Sequence, residues 1–551
     1  MTARFPARAH AAKLISELVK LIPESDRGKT HAIFLQGSPS LCRDDTDREL
    51  PFYQEANFNY LTGVIHASSS VAISFSLSTD GSPSNIKHQL FIPPADPAET
   101  MWSVPPPTLT EAEAKYDSDK INYTSSLPAF LESATKSSSG SVVLHTLPNT
   151  LEYPALPEAV SQAGSFDRTT EYLFEALHIA RLTKTEEEIA LIREANRISS
   201  GAHEVVMREL GSFAREREGG DLKRPERTGK EGLKQWEIES EDDAEAVFVA
   251  ACRRMGANQA YLPIVASGSR ASTLHYVCND RLFPSTSVPR QPSDKSFTPS
   301  PLTRGCCGTL APPHSHETEP TAFHDKAFFP QVLLIDAGCE WRGYASDITR
   351  TMPVGNGGKF TKEAGDIYAL VLRMQKECEA LVKPDIHWDT LHLHAHKVLI
   401  DGFIKLGIFK GDAEDILQSG VTAGFFPHGL GHSLGLDVHD SRQYLKSTHL
   451  SLPPASTSTP AKLYAYLRIR QPLQLNMVLT VEPGCYFAPQ LLEEHGVWTS
   501  EYVVKDVLKR YVNVGGVRLE DVVVVREGEA ENLTTIGRDR DYVEGLCSGS
   551  L

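Results

Sequence analysis

The spacing of apolar residues changes along this chain, and the changes divide it. Ala11, Ile15, Leu18, Val19 and Ile22 recur at helical intervals and predict an amphipathic first helix. Short β-rich runs follow in HAIFLQG, SSVAISFSL, HQLFIPP and GSVVLHTL, interleaved with helical stretches. That mixture predicts an α/β domain over residues 1–175. From about Glu171 to Leu210 apolar positions again return every third or fourth residue. Within that stretch, Thr185 and Glu188 have the spacing of a capping box and mark a helix start. A boundary near residues 170–182 is expected, with a second domain over 176–551.

Three stretches interrupt the periodicity of the second domain. Residues 211–236 are charged and glycine-rich, 281–328 are rich in Pro, Ser and Thr, and 441–472 include HLSLPPASTSTPAK. A structureless loop of that size is improbable inside a compact domain, so all three read as surface insertions with little order. The remaining text is strand-like, and its strands carry an unusual cargo. Asp336 and Asp347 lie in LIDAGCEWRGYASDITRT, His432 in HGLGHSLGLDVHD, Glu482 in LTVEPGCY and Glu520 in GGVRLEDVVVV. Each sits on or beside an apolar run. Buried carboxylates repel one another and are costly to desolvate unless a cation compensates them. The five residues therefore form the pattern of a two-metal site.

Local patterning adds detail. If Trp341 and Arg342 form a two-residue turn, Glu340 pairs with Gly343 and Asp336 falls opposite Asp347, a register that asks for a positive bridge. In isolation, one Asp capping a turn with the other exposed is the competing reading. His428 and His432 are four apart, but no Glu follows the first, and Gly429, Gly431 and Gly435 make a helix poor, so a helical zinc motif is excluded. Glu482 ends an apolar strand before the turn at Pro483-Gly484. Arg518 and Glu520 alternate along one strand and share a face, where the bland alternative is a solvated ion pair. A ligand set of carboxylates with one imidazole favours ions such as Mn²⁺ over a thiolate-type zinc site. Cys339 and Cys485 lie outside any paired Cys motif and read as packing residues. His314, His316 and His324 lie in the second insertion, with no strand scaffold.

Composition narrows the class. The chain has 551 residues, too many for one ordinary core, with 40% hydrophobic and 23% charged residues. A net charge of −16 argues against a nucleic-acid backbone or an anionic membrane as partner. No run reaches the roughly 18 apolar residues of a membrane span. Nine cysteines without a regular framework suit reduced thiols in the cytosol. The basic N-terminus (Arg4, Arg8, Lys13, Lys20) is faintly like a mitochondrial presequence, which leaves the mitochondrion as the minor alternative.

These motifs resemble the pita-bread metallopeptidases, and most closely the Xaa-Pro aminopeptidase and prolidase group in its fungal type. The resemblance spans roughly residues 180–535 outside the insertions. It includes the segment FVAACRRMGANQAYLPIVASGSRASTLHYVCND, and FYQEANFNYLTG is similar to a segment of the family's smaller creatinase-like domain. It implies an α/β (α+β) architecture: a creatinase-like N-terminal domain, then a catalytic domain built on a curved antiparallel sheet. It implies two divalent metals, most simply Mn²⁺, on Asp336, Asp347, His432, Glu482 and Glu520. By the same resemblance Glu482 moves the proton of the attacking water, while His275, His439 and Arg518 match substrate and proton-shuttle positions. His428 matches an outer pocket histidine. The expected activity is removal of an N-terminal residue preceding proline from small peptides, in a homodimer or homotetramer. Two alternatives stand beside it: a prolidase restricted to Xaa-Pro dipeptides, and an inactive peptide-binding shell, which predicts lost ligands where none is lost.

Overall fold

The computed structural model describes residues 4–136, 142–162, 166–217, 238–281, 283, 331–440 and 459–551. The chain forms two compact units, Met1–Thr183 and Lys184–Leu551.

The first unit is built on a six-stranded mixed sheet. Its order is Lys120–Tyr123, Pro83–Ile92, Ser70–Leu77, Thr30–Gln36, Val142–His145 and Phe166–Thr169. Ser70–Leu77 pairs antiparallel with Pro83–Ile92 across a short hairpin and also with Thr30–Gln36, to which it is joined through helix Ala56–Thr62; the other three pairs are parallel. Helix Ala7–Leu21 buries Ala11, Leu14, Ile15 and Leu18, the face that the apolar spacing predicted. The four β-rich runs are four of the six strands. Phe34, Ala72, Phe91 and Leu144 join Leu127, Leu131 and Val160 in one apolar cluster beneath the sheet.

A pair of imidazoles is sealed into this unit. His31 Nδ1 and His145 Nε2 lie 3.0 Å apart, and both rings are buried. Burial, then the neighbouring His31, lowers the His145 pKa from its ordinary value to about 3. Above pH 6.5 the ring is neutral in both folded and unfolded chains and stability does not depend on it. As pH falls below 6.5 only the unfolded chain takes the proton, so stability declines down to about pH 3. For this one group, the loss from pH 7 to pH 5 amounts to about 2 kcal/mol. Calorimetry of the full chain is expected to show acid sensitivity, to which the buried His203 and His392 add in the same direction, and His145→Gln should lessen the slope; an unchanged slope in the variant would contradict it.

At the junction of the two units along the chain the helical pattern breaks where the capping box predicted. Helix Leu173–Leu182 ends, and helix Glu186–Arg217 starts with reciprocal bonds between Thr185 and Glu188, at 2.8 Å and 3.3 Å. Three glutamates in its first turn complement the helix dipole. A three-stranded antiparallel sheet joins Thr349–Pro353, Val332–Asp336 and Ile264–Ser267. Val478–Val481 pairs with Asp521–Val524, and Gly484–Tyr486 with Gly516–Arg518. Residues 332–335 are at most 1% exposed, so this strand is covered on both faces, and Asp336 emerges at its end.

Two expectations are corrected here. The turn after Cys339–Trp341 is Arg342-Gly343, with φ of +52° and +85°, and Trp341 pairs with Tyr344. A two-residue turn of this hand needs positive φ at both positions, which glycine supplies at the second. The shift places Thr349, not Asp347, opposite Asp336. The third insertion is also shorter than expected. Residues 459–472 pack: Leu463, Leu467 and Ile469 are buried, Arg470 Nε donates to Asp389 at 2.7 Å, and Trp388 N–H donates to Gln471 O. Its apolar residues were masked by the Pro/Ser/Thr-rich text before them. The first expected insertion begins inside helix Glu186–Arg217, and Arg281 and Phe283 at the start of the second are ordered. The rest of these stretches, with His314, His316 and His324, lies outside the described residues.

Candidate metal centre

The central strand of the site is Val478–Val481. The His432 segment runs beside it without helix, held by Leu434 N–H to Val478 O, Thr480 N–H to His432 O at 2.9 Å, and Glu482 N–H to Leu430 O at 2.8 Å. The approach is close enough that a Cβ on Gly431 would lie 2.0 Å from Thr480 O. That contact explains a glycine between the two histidines. His432 and Glu482 are thus brought to one end of the strand by main-chain bonds.

His432 Nδ1–H donates to Ser433 O at 3.0 Å, which leaves Nε2 turned inward. Nε2 lies 3.3 Å from Asp347 Oδ2 and 3.5 Å from Glu482 Oε1. Among the described residues, Asp347, His432 and Glu520 each place a ligand atom within 4.8 Å of the others. Asp336 joins through Tyr261, whose hydroxyl contacts Asp336 Oδ1 at 2.6 Å and Asp347 Oδ1 at 2.5 Å. Although Asp347 does not face Asp336 across the ladder, it is the diagonal neighbour on the same face, within reach of one bridging group.

Arg518 is the guanidinium of this cluster. It donates to Asp336 Oδ2 at 2.6 Å, Thr349 Oγ1 at 3.0 Å and Tyr486 Oη at 3.0 Å. Thr349 in turn donates to Glu520 Oε2 at 2.6 Å. The strand carrying Arg518 ends there and a second begins at Asp521, so Glu520 lies in the break, with its N–H on Thr349 O. His428 Nε2 accepts from the Tyr486 hydroxyl at 2.8 Å, and its Nδ1–H donates to Gly429 O. Both its nitrogens are therefore engaged within the protein. The ring of His439 stands edge-on to His432 at 4.4 Å and is exposed. His275 is also exposed, close enough for its charge to be felt by His428 and His439.

The electrostatics are those of crowded acids. Burial raises Glu520 well above the carboxylate range, with Asp347 and Glu482 adding repulsion. Burial lifts Glu482 to about 7 against the pull of His432 and Arg518. It lifts Asp336 to about 6, with Arg518 opposing and Asp347 adding. For Asp347 burial acts upward too, but the bond and charge of His432 outweigh it and hold the carboxyl low. Four carboxylates thus meet one imidazole and one guanidinium in a buried space. Divalent cations fit this donor set: all donors are carboxylate oxygens or a pre-oriented imidazole Nε2, and the positive side chains at hand do not neutralise them.

Tyr261, Thr349 and Tyr486 tie this network together, and none was singled out from sequence. Their order along the chain carries no pattern, since each acts from a different strand or loop. Cys339 and Cys485 are fully buried packing residues, as expected. A second buried contact supports the segment that carries His439. Lys184 Nζ lies 2.8 Å from Asp440 Oδ2, with both side chains 1% exposed. Lys184→Met strips the cation from a buried carboxylate and is expected to cost about 3–5 kcal/mol, whereas Lys184→Met with Asp440→Leu should recover most of that. Denaturant titration of the three proteins checks it, and equal losses in the single and double variants would contradict it.

Comparison with known proteins follows this geometry. The profile of metallopeptidase family M24 matches residues 190–527, and that of the aminopeptidase P N-terminal domain matches residues 8–144. The chain is 36% identical over 557 residues to the probable Xaa-Pro aminopeptidase pepP of Metarhizium acridum, covering 100% of this chain and 90% of that one. It is 36% identical over 550 residues to the probable Xaa-Pro aminopeptidase PEPP of Podospora anserina, covering 99% and 98%. Among solved structures it resembles E. coli aminopeptidase P in a low-pH form, with TM-score 0.69, 24% identity, and 100% and 99% of the two chains covered. Proline aminopeptidase P II from Yersinia pestis gives TM-score 0.67 at 24% identity, covering 98% and 99%.

Proposed function

Since the chain belongs to metallopeptidase family M24, with an aminopeptidase P N-terminal domain before a pita-bread domain, we propose that it is an Xaa-Pro aminopeptidase releasing the residue that precedes proline from peptides. The observation that carries this reading is the convergence of Asp336, Asp347, His432, Glu482 and Glu520 on one buried space. We assign to these five the role of holding two divalent cations, with Mn²⁺ favoured by the carboxylate-rich donor set. Bound there, such cations supply Lewis-acid polarisation of the scissile carbonyl and bring the acidity of water near neutrality.

The remaining chemistry belongs to the side chains. Glu482 Oε1 is occupied by Thr480 at 3.2 Å and His432 at 3.5 Å, so Oε2 is the freer oxygen for accepting the proton of the attacking water. The leaving group is a tertiary amide nitrogen with no N–H, which departs only when protonated, and Glu482 can return the proton it holds. To His439, exposed beside His432, we assign donation to the oxygen of the tetrahedral species. To His275, exposed and close enough for its charge to be felt by His428 and His439, we assign the anchoring of the substrate. Arg518 keeps Asp336 ionised and, through Tyr486, fixes the His428 ring, which lines the pocket.

The test is hydrolysis of Gly-Pro, Ala-Pro and a longer Ala-Pro-Xaa peptide with and without Mn²⁺. Cleavage of the longer peptide before proline supports the aminopeptidase; cleavage of dipeptides alone moves the assignment to prolidase. No cleavage despite bound metal leaves a peptide-binding shell. We also place the protein in the cytosol, supported by Cys42, Cys252, Cys339, Cys378, Cys485 and Cys547, which stand outside any disulfide. No helix among the described residues is long and apolar enough to cross a membrane. A homodimer or homotetramer is proposed on the exposed apolar Met101, Trp102 and Val104, and light scattering of the purified chain measures it.

A further inference from the structure

The carboxylate of Glu241 is fully buried in the first turn of helix Glu241–Arg254, and both its oxygens are in use. Oε1 accepts from Ser267 N–H at 2.8 Å, Ser267 O–H at 2.6 Å and Arg270 Nε at 3.3 Å. Oε2 accepts from the Tyr276 hydroxyl at 2.9 Å and Arg281 N–H at 3.1 Å. The Tyr276 hydroxyl also lies 2.8 Å from Asp280 Oδ1, so its one proton is shared between two carboxylates.

These partners bracket His275. Tyr276 is its neighbour, and Arg270 and Arg281 lie on either side. Ser267 ends the strand Ile264–Ser267, in which Ile264 pairs with Asp336, so the same carboxylate reaches back to the strand layer of the metal centre. On the far side the main chain closes on the helix start, with Glu241 N–H on Arg281 O at 3.0 Å and Phe283 N–H on Glu239 O at 2.7 Å. His275 itself is exposed between Leu274 and Tyr276, and its placement has to come from outside its own packing. After Phe283 the sequence enters the Pro/Ser/Thr-rich stretch 284–330 before returning at Val332. Among the described residues, the His275 loop is tied to Glu241 through Ser267, Tyr276 and Arg281, and the Asn279 side chain adds bonds to Val265 N–H and Pro263 O.

We propose that Glu241 is a positioning residue for His275, holding residues 267–281 in register with the Asp336 strand so that the imidazole faces the metal centre. This rests on the peptidase reading above. Its loss is felt through His275 and not through the five ligands.

The experiment compares wild type, Glu241→Gln, His275→Ala and the double variant on Ala-Pro-Xaa, together with hydrogen exchange of the metal-loaded proteins. Glu241→Gln is expected to lower kcat/KM by up to about 100-fold, because a misplaced group costs that order of rate. In the His275→Ala background the same change should cost less than about twofold, the signature of two residues acting as one unit. Exchange should quicken across 268–281 while 332–336 keep their protection. If Glu241→Gln does not fold, Tyr276→Phe, which removes one of the bonds, should give the same pattern at smaller size. Additive losses in the double variant, or unchanged exchange over 268–281, overturn the assignment while leaving the peptidase reading intact. A wild-type chain inactive on every Xaa-Pro peptide overturns both.

Discussion

Glu482→Gln is expected to lower kcat/KM on Ala-Pro-Xaa by about 1,000-fold or more, the scale of a lost general base and acid. The amide keeps the shape and the Thr480 contact but cannot accept and return a proton. Burial already raises the carboxyl to about 7, so the neutral amide replaces a group that the protein finds hard to ionise in the absence of cations. The variant should therefore melt no lower than wild type when metal-free. Initial rates paired with thermal melts check both halves. A variant retaining a tenth of the wild-type rate would remove Glu482 from the proton path, and a large drop in melting temperature would make the rate loss structural.

The second large effect comes from removing the cations. Chelation should bring peptide hydrolysis to background, and added Mn²⁺ should restore it more fully than Zn²⁺, given the carboxylate-rich donors. It should also lower stability, because ions that bind only the folded chain relieve repulsion among Asp336, Asp347, Glu482 and Glu520. At a free concentration 100 times the dissociation constant, one ion stabilises by about 2.7 kcal/mol. Asp347→Asn is expected to lose both the activity and the metal-dependent rise in melting temperature, since Asp347 lies at the junction of His432, Glu520 and Tyr261. A chelated protein that melts at the same temperature with and without Mn²⁺ would contradict ion binding at this cluster.

The way the two predictions depend on particular residues shows what was readable in advance. The carboxylates and His432 stood out because acidic groups beside buried apolar runs are costly and so demand a reason. Helix Ala7–Leu21, the strands of the first unit and the start of helix Glu186–Arg217 were readable from local periodicity and the Thr185–Glu188 spacing. The hairpin after Asp336 was misplaced by one residue at its turn. Both pairings put the two aspartates on the same face, and turn hand, not hydrophobic pattern, chooses between them. Low-complexity text adjoins residues 459–472 and hides their pattern, so Leu463, Leu467 and Ile469 are recognisable as core only from their burial in the tertiary structure.

By itself, the sequence determined the acidic balance of the chain, and it singled out the carboxylates and histidines to which the chemistry is proposed to belong. These follow from composition and short-range spacing, which the chain displays along its length. Only the tertiary structure decided how those side chains meet. Tyr261 bridges two aspartates, Arg518 reaches Asp336 across 182 positions, and Glu241 gathers the loop of His275 before the long stretch 284–330. Such contacts are hydrogen bonds between residues far apart in sequence, and their strength depends on ångström-scale distances and burial that no local pattern encodes.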